Sequence, residues 1–458
     1  MPRQIVAVVP GFGVRLRELR EQRGLSLRQL GRQVHCSHGY LWDLEAGGKR
    51  PSASVAALLD AALGADGQLS AMVSEVSADS GEQTADVGDT DGKAARGLEF
   101  APDWRHGVEA AAELWQADMQ RRDLLVGATF SAAAFVTPAL RWLTSRLDEE
   151  PVGRGERVVG EPDVEAVRQI TSVYRALDNR YGGGHVRDRV VRFLDTEVAG
   201  LLRGRYDART GAALLSAAAE VTQLAGWASY DVGRNGLAQR YLVHALRLAA
   251  AAGDRALGAE ILAAMSHQAA YLGASSEAVD LARAAGRTAA EAGATAIQAE
   301  SAVLEAQGHA IGGDEAACAA ALDRAERAFD RADRTSAPQW IGYFDEAYLS
   351  AKFGHCFAAL GRGDLATRFA VRSLQMDGHA YARGRQFNLA LLAVAHLHSG
   401  DPEQAGTVGR QAVEAATGLR SRRAHDYLAD LARRLAPYGD VTAVREFTER
   451  VRPVLQTA

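Results

Sequence analysis

Between Val14 and Leu63 the apolar residues recur at helical spacing in four short blocks. They are Val14, Leu16 and Leu19; Leu27, Leu30 and Val34; Leu41 and Leu44; and Val55, Leu58, Leu59 and Leu63. Polar punctuation separates them: Gly24 follows the first block, Ser26 and Ser37 can cap the second and third, and Gly47 with Pro51 ends the third. The fourth predicts a helix over 53–63. From residue 66 the pattern dissolves: nine acids stand against only Lys93 and Arg96 up to Asp103. Residues 74–97 are rich in Gly, Ser, Thr and Asp with almost nothing large and apolar. Such a stretch cannot bury enough surface to order itself, and predicts a flexible acidic linker over 74–101. Helical patterning resumes at Pro102-Asp103-Trp104 and runs to Trp142, a helical connector over 102–147. Pro151, Gly153, Gly155, Gly160 and Pro162 mark a surface loop, and from Val164 helices follow one another with short connections.

The later helices repeat. The tetratricopeptide pattern pairs antiparallel helices through small residues with an aromatic between them. It fits best at Phe353-Gly354-x-x-Phe357 to Leu374, then at Leu392–Ala412 and Leu224–Ala245, with weaker copies at 266–285 and 307–328. The anchor alanines Ala238, Ala278, Ala321, Ala366 and Ala405 lie 40, 43, 45 and 39 residues apart. That exceeds the standard period of about 34 and predicts longer helices or loops in a solenoid of TPR-like hairpins over 164–455. The fold class is therefore all-α. Its concave face, made by the first helix of each pair, would present Trp227, Tyr230, His267, Tyr271, Gln307, Tyr343, Tyr348, His355, Asn388 and His396. Trp227 and Tyr230 are expected to fill gaps between helices. Gln307 and Asn388 have the better claim to a ligand, because an amide in mid-helix faces a lumen or needs a buried partner.

Two short helices joined by a tight turn, inside a small helical unit over 10–70, describe a helix-turn-helix. The unit resembles the Xre/Cro-type, lambda-repressor-like family. The resemblance rests on Leu16-Arg17-x-Leu19-Arg20, Gly24-Leu25-Ser26, Leu30, Ser37, Leu44-Glu45, Gly47 and Arg50-Pro51-Ser52. It implies binding to double-stranded operator DNA through Arg28, Ser37, His38, Gly39, Tyr40, Asp43, Lys49 and Arg50. Ser37, His38, Gly39 and Asp43 would sit where the recognition helix faces base edges. Leu27 stands where the family usually has Gln, and Gly39 has no side chain, so base reading falls to Ser37, His38 and Asp43. Asp43 would accept from a cytosine amino group or repel phosphate and set register. Tyr40 and Trp42, beside Leu41 and Leu44, are expected to pack rather than stack on bases. The domain order over most of the chain resembles actinobacterial Xre-type regulators, through Ser37–Gly47, Gln120-Arg121-Arg122-Asp123, Ala176–His185 and Ala225-Gly226-Trp227-x-x-Tyr230-Asp231. This implies transcriptional control. In domain order alone it is similar to peptide-sensing quorum regulators.

Charge agrees with DNA binding. Residues 11–51 carry eight Lys/Arg against four acids, in a chain of net charge −5. A single copy neutralises few phosphates, so its binding should be salt-sensitive and gain from a homodimer on a two-fold operator. At 458 residues the chain exceeds one ordinary core. It shows no apolar run long enough to cross a bilayer and no signal peptide, and three scattered cysteines suit a reducing compartment, so a cytoplasmic location is expected. His35-Cys36-x-His38 lacks the four ligands of a zinc site, and no metal or cofactor is expected.

Arg180-Tyr181-Gly182-Gly183-Gly184-His185 lacks the Gly-Lys-Ser/Thr ending of a phosphate loop and follows no strand. Asp178, Asn179, Arg180 and His185, next to Arg187 and Arg189, would instead hold an anionic effector or a neighbouring helix end. The candidate ligand set is Arg180, His185, His267, Tyr271, Gln307, Tyr348 and Asn388, for a peptide or small-molecule effector. No Ser/His/Asp or paired-carboxylate constellation stands out, so no enzyme is expected. The reading is a dimeric DNA-binding regulator with a sensing or dimerising solenoid. The alternative is an interaction scaffold whose solenoid binds a partner protein.

Overall fold

The computed structural model describes residues 11–34, 38–46, 53–65, 67–72, 97–120, 129–144, 148–333 and 338–456. The chain forms two compact units, Met1–Asp89 and Thr90–Ala458.

The first unit holds α1 (Phe12–Gln22), α2 (Leu27–Gln33), α3 (His38–Glu45) and α4 (Ala53–Leu63). Ser26 caps α2 as its position predicts: its Oγ accepts from the Gln29 amide at 3.3 Å while Gln29 Oε1 accepts from the Ser26 amide at 2.8 Å. Leu16, Leu19, Leu30, Val34, Leu41, Leu44, Leu59 and Leu63 meet in one core. Val14 does not join them. It is 63% exposed, and Phe12, two residues earlier on the opposite, buried face of α1, takes the place assigned to it. Arg20 ties the ends of the motif together. Its Nε and Nη2 donate to the two Glu45 oxygens at 2.6 and 2.9 Å, and its Nη1 donates to the Leu25 carbonyl at 2.9 Å. Asp60 closes the unit by accepting from the amides of Leu69 and Ser70, both at 2.9 Å.

The second unit starts earlier than composition suggests. Residues 97–101, assigned to the linker, pack on the helical body: Phe100 is buried and the Ala101 carbonyl accepts from Arg247 Nε at 2.8 Å. Next come α5 (Trp104–Met119) and α6 (Val136–Thr144), then α7 (Glu161–Tyr181), α8 (Gly183–Phe193) and the short α9 (Ala199–Leu202). A two-residue antiparallel ladder pairs β1 (Gly153–Arg154) with β2 (Arg205–Tyr206). Six hairpins follow: α10 (Ala208–Asp231) with α11 (Asn235–Ala252), α12 (Arg255–Tyr271) with α13 (Ser275–Glu291), and α14 (Thr295–Ile311) with α15 (Glu315–Arg331). After them come α16 (Glu346–Ala359) with α17 (Gly363–Ser373), α18 (Ala382–His398) with α19 (Pro402–Ala416), and α20 (Arg422–Leu435) with α21 (Thr442–Gln456). With α7 and α8 these make a solenoid-like stack of seven hairpins.

The alanine anchors occupy the predicted seam with one exception. Ala238, Ala278, Ala366 and Ala405 are fully buried near the start of each second helix, five residues after Gly233, Gly273, Gly361 and Gly400. Each of these glycines has positive φ and ends the preceding helix. In the α14–α15 hairpin Gly313 plays that part, so Cys318 holds the equivalent place and Ala321 lies a turn later.

Residues 102–144 are also more than a connector. Helix α11 is buried over almost its whole length, carrying Gln239, Arg240, His244 and Arg247 inside with its apolar residues, because α5 and α6 cover its outer side. Tyr241 on α11 donates to Asp118 on α5 at 2.8 Å, and Arg187 on α8 binds the same carboxylate. Trp142 on α6 lies over Gly258 on α12 and donates from its indole nitrogen to Thr288 at 3.1 Å. A Cβ on Gly258 would stand 2.0 Å from the Trp142 ring. Gly258→Ala should therefore expel the indole and destabilise the second unit by roughly 1–3 kcal/mol. A denaturant midpoint equal to that of the parent would disprove this packing role.

The stack curls until its ends meet. Arg383 on α18 grips Asp178 on α7 with both terminal nitrogens, at 2.9 and 2.8 Å, and reaches Asp231 on α10 at 3.3 Å. Backbone bonds reinforce the closure: the Arg420 amide donates to the Tyr181 carbonyl, and the Gly184 amide to the Arg420 carbonyl, both at 2.8 Å. Gly182 lies at φ 87°, and a Cβ there would come within 2.8 Å of the Arg420 carbonyl oxygen, so the junction requires glycine.

Candidate functional site

In the first unit, α2 and α3 stand as the two helices of the motif, with the capping box fixing the entry of α2. Arg28 lies on α2; His38, Gly39, Tyr40 and Asp43 lie on α3. The side-chain placements of these residues, and Ser37, Lys49 and Arg50 altogether, fall outside the described residues. Trp42 corrects one expectation: it is 58% exposed on α3 and does not pack in the core. Three of the arginines counted toward phosphate binding are held by acids. Arg15 binds Glu18 at 2.8 Å, Arg17 binds Glu21 at 3.0 Å, and Arg20 binds Glu45. The cation supply is thus smaller than the raw count.

In the second unit the first helices of the hairpins face inward around a cavity of about 180 Å³. One water needs roughly 15 Å³ on such a measure, so the space suits a small organic molecule. Of the seven candidate ligand residues, His267, Tyr271, Gln307, Tyr348 and Asn388 line it. Arg180 and His185 do not. Arg180 is exposed and stacks on Tyr181, and His185 contacts Tyr181 and Arg189. The Gly182–Gly184 turn instead receives a neighbouring helix end: the Gly183 amide donates to Asp231 at 2.8 Å and that of Gly184 to the loop before α20. Of the further concave-face candidates, Tyr343 and His355 line the cavity and His396 does not. Tyr230 fills an interhelix gap as expected, at 2% exposure. Trp227 does not merely fill one, since it also lines the cavity.

The lining is unusually polar for an interior. On one side Glu260 and Glu300, from α12 and α14, are buried together. The Tyr343 hydroxyl lies 2.8 Å from Oε1 of each. A hydroxyl has one hydrogen to donate, so Tyr343 fully satisfies only one of the two carboxyl groups at a time. Burial, then repulsion from Glu300, pushes Glu260 well above the ordinary carboxylate range, and burial raises Glu300 as well. Both shifts favour protonation, and among the described residues neither Oε2 accepts from a donor. On the other side stand Lys352 on α16 and Arg423 on α20, with His267 and His355 beside them. Burial first, and Lys352 and Arg423 next, hold both imidazoles neutral, with His355 brought down to about 3. Asn388 is anchored by donating to the Ser373 carbonyl at 3.1 Å.

Glu260, Glu300, Lys352, Arg383 and Arg423 are absent from the sequence-derived set. Their signal is visible in retrospect: each of the first three is a lone charge within an Ala- and Leu-rich stretch of a first helix, as in Leu257-Gly258-Ala259-Glu260-Ile261-Leu262.

Fold and sites together define a helix-turn-helix protein with a body of packed helical hairpins. Residues 12–72 match the family model described as a helix-turn-helix domain, the signature of a DNA-binding regulator. No curated protein matches the chain. No helix among the described residues is long and apolar enough to cross a membrane.

Proposed function

We propose that this chain is a sequence-specific transcriptional regulator of the Xre type, acting in the cytoplasm. It reads a two-fold operator as a homodimer and senses a small effector in its helical body. The observation that carries the reading is the joining of a helix-turn-helix domain to a hairpin body whose inner cavity sets charged side chains among aromatic ones. The closure of α7 on α18 favours a small molecule over an extended peptide, which needs an open groove. The engagement of Arg15, Arg17 and Arg20 by acids leaves one domain few free cations, which favours binding as a pair. The body binds its effector without turning it over, and shifts the DNA-binding equilibrium through a difference in affinity between two states.

Replacing Ser37 and His38 together by Ala tests the reading. Each lost base contact removes about 1–3 kcal/mol of discrimination, so operator affinity should fall tenfold or more while both units melt as in the parent. Footprinting of the parent at low salt that found no preferred sequence would refute the proposal.

A further inference from the structure

Three buried arginines of the second unit each hold a carboxylate: Arg187 with Asp118, Arg247 with Asp148, and Arg383 with Asp178. Arg423 differs. It is 3% exposed, and among the described residues no carboxylate lies within ion-pair distance of it. Aromatic rings surround its guanidinium instead, with Tyr230 at 4.4 Å, Phe387 at 4.8 Å, Tyr271 at 5.1 Å and Trp227 at 5.6 Å. Ring faces attract a cation but do not neutralise it, and its Nε has no hydrogen-bond partner. Lys352 repeats the pattern. It is 5% exposed, its Nζ donates to the neutral Gln307 amide at 3.0 Å, and it sits 5.5 Å from the Tyr348 ring; burial, then Arg423, brings its ammonium down to about 7, so an added anion would draw the proton onto it. Leaving buried cations without an anion is costly, and both of these line the same cavity.

We propose that the cavity, read above as the effector site, binds a small aromatic monocarboxylate that carries a hydroxyl or amino donor. This rests on that reading and names the chemistry of its ligand. The carboxylate lies against Arg423 and Lys352, matching the planar guanidinium with two parallel acceptors. The ring lies among Trp227, Tyr271 and Phe387, whose faces already form the wall around Arg423. The donor at the far end lies toward Glu260 and Glu300, which line the same cavity. The acid pair also sets the charge of the ligand: a dianion such as a phosphate monoester would be repelled by it, whereas a single negative charge offsets Arg423 and favours the charged form of Lys352.

The test is calorimetric titration of the full chain, without DNA, using two probes of one shape, 4-hydroxybenzoate and its neutral twin 4-hydroxybenzamide, and a longer cationic one, tyramine. Saturable binding of 4-hydroxybenzoate is expected, with the amide at least about tenfold weaker, as the loss of charged hydrogen bonds dictates. Arg423→Met and Lys352→Met should each weaken 4-hydroxybenzoate by a similar factor. Lys352→Met keeps the test decisive if the first variant does not fold. Equal binding of acid and amide would overturn the proposal, and so would preference for tyramine or no binding by any probe. Footprinting scores DNA reading separately, so a failed titration with intact operator binding removes the ligand assignment alone.

Discussion

Arg383→Met should unlatch the curled stack and cost the second unit about 3–5 kcal/mol of unfolding free energy. Arg383 is 5% exposed, Asp178 1% and Asp231 fully buried, so the substitution strands two carboxylates in the interior. Asp231 retains the Gly183 amide and the Ser421 hydroxyl, at 2.8 and 2.9 Å, but Asp178 loses both of its guanidinium bonds. Methionine keeps most of the volume, so the loss is electrostatic rather than a cavity effect. Combining it with Asp178→Asn removes one of the stranded charges and should recover part of the deficit, a coupling that urea titration of the single and double variants measures. A single variant within 1 kcal/mol of the parent would show that the closure is held elsewhere. The same variant should weaken any ligand in the cavity, since Arg383 and Asp178 both line it.

A comparable loss is expected in the first unit from Arg20→Ala. The Arg20 and Glu45 side chains are only 11% and 8% exposed, and Arg20 also satisfies the Leu25 carbonyl in the turn before α2. Removal leaves a largely buried carboxylate and a bare carbonyl, again about 3–5 kcal/mol. A domain of this size holds only several kcal/mol in total, so the unit should be mostly unfolded at growth temperature. Operator affinity should then disappear while the melting of the second unit stays where it was. Two-transition calorimetry beside gel shift reads both. Glu45→Gln keeps acceptor and shape and should retain more of both than Arg20→Ala; operator binding by Arg20→Ala at parental strength would refute the role given to this pair.

The helical periods were plain in the sequence, because alanine- and leucine-rich stretches with helical spacing admit no other regular element. The motif at 12–63 was legible for the same reason, with Val14 misplaced because Phe12 offers a larger apolar surface on the face that turns inward. Trp42 was read as core from its neighbours Leu41 and Leu44, yet on a helix the residue between two core positions points away from them. The hairpin register was recoverable more exactly from the glycines than from the alanines, as Cys318 shows. Eight cavity residues were found, five of them in the ligand set, because aromatic and amide side chains on or next to first helices are conspicuous. The charged ones were missed because Lys and Arg on a solenoid ordinarily face water, and only the curling of the stack removes Lys352 and Arg423 from it. That curling rests on pairings between residues 178 and 383, which no local pattern announces.

The distance along the chain between the two halves of that latch also fixes an order of events. Partners 205 residues apart cannot meet until the intervening hairpins exist, and loop-closure entropy makes such a contact a late step of folding. Hairpins can form as they leave the ribosome, but the chamber they enclose is completed only once α18 and α20 have been made. A chain interrupted before residue 382 would possess a helix-turn-helix domain and most of the hairpins, yet no chamber. The chamber is therefore the part of the fold completed last, after the helix-turn-helix domain and the early hairpins.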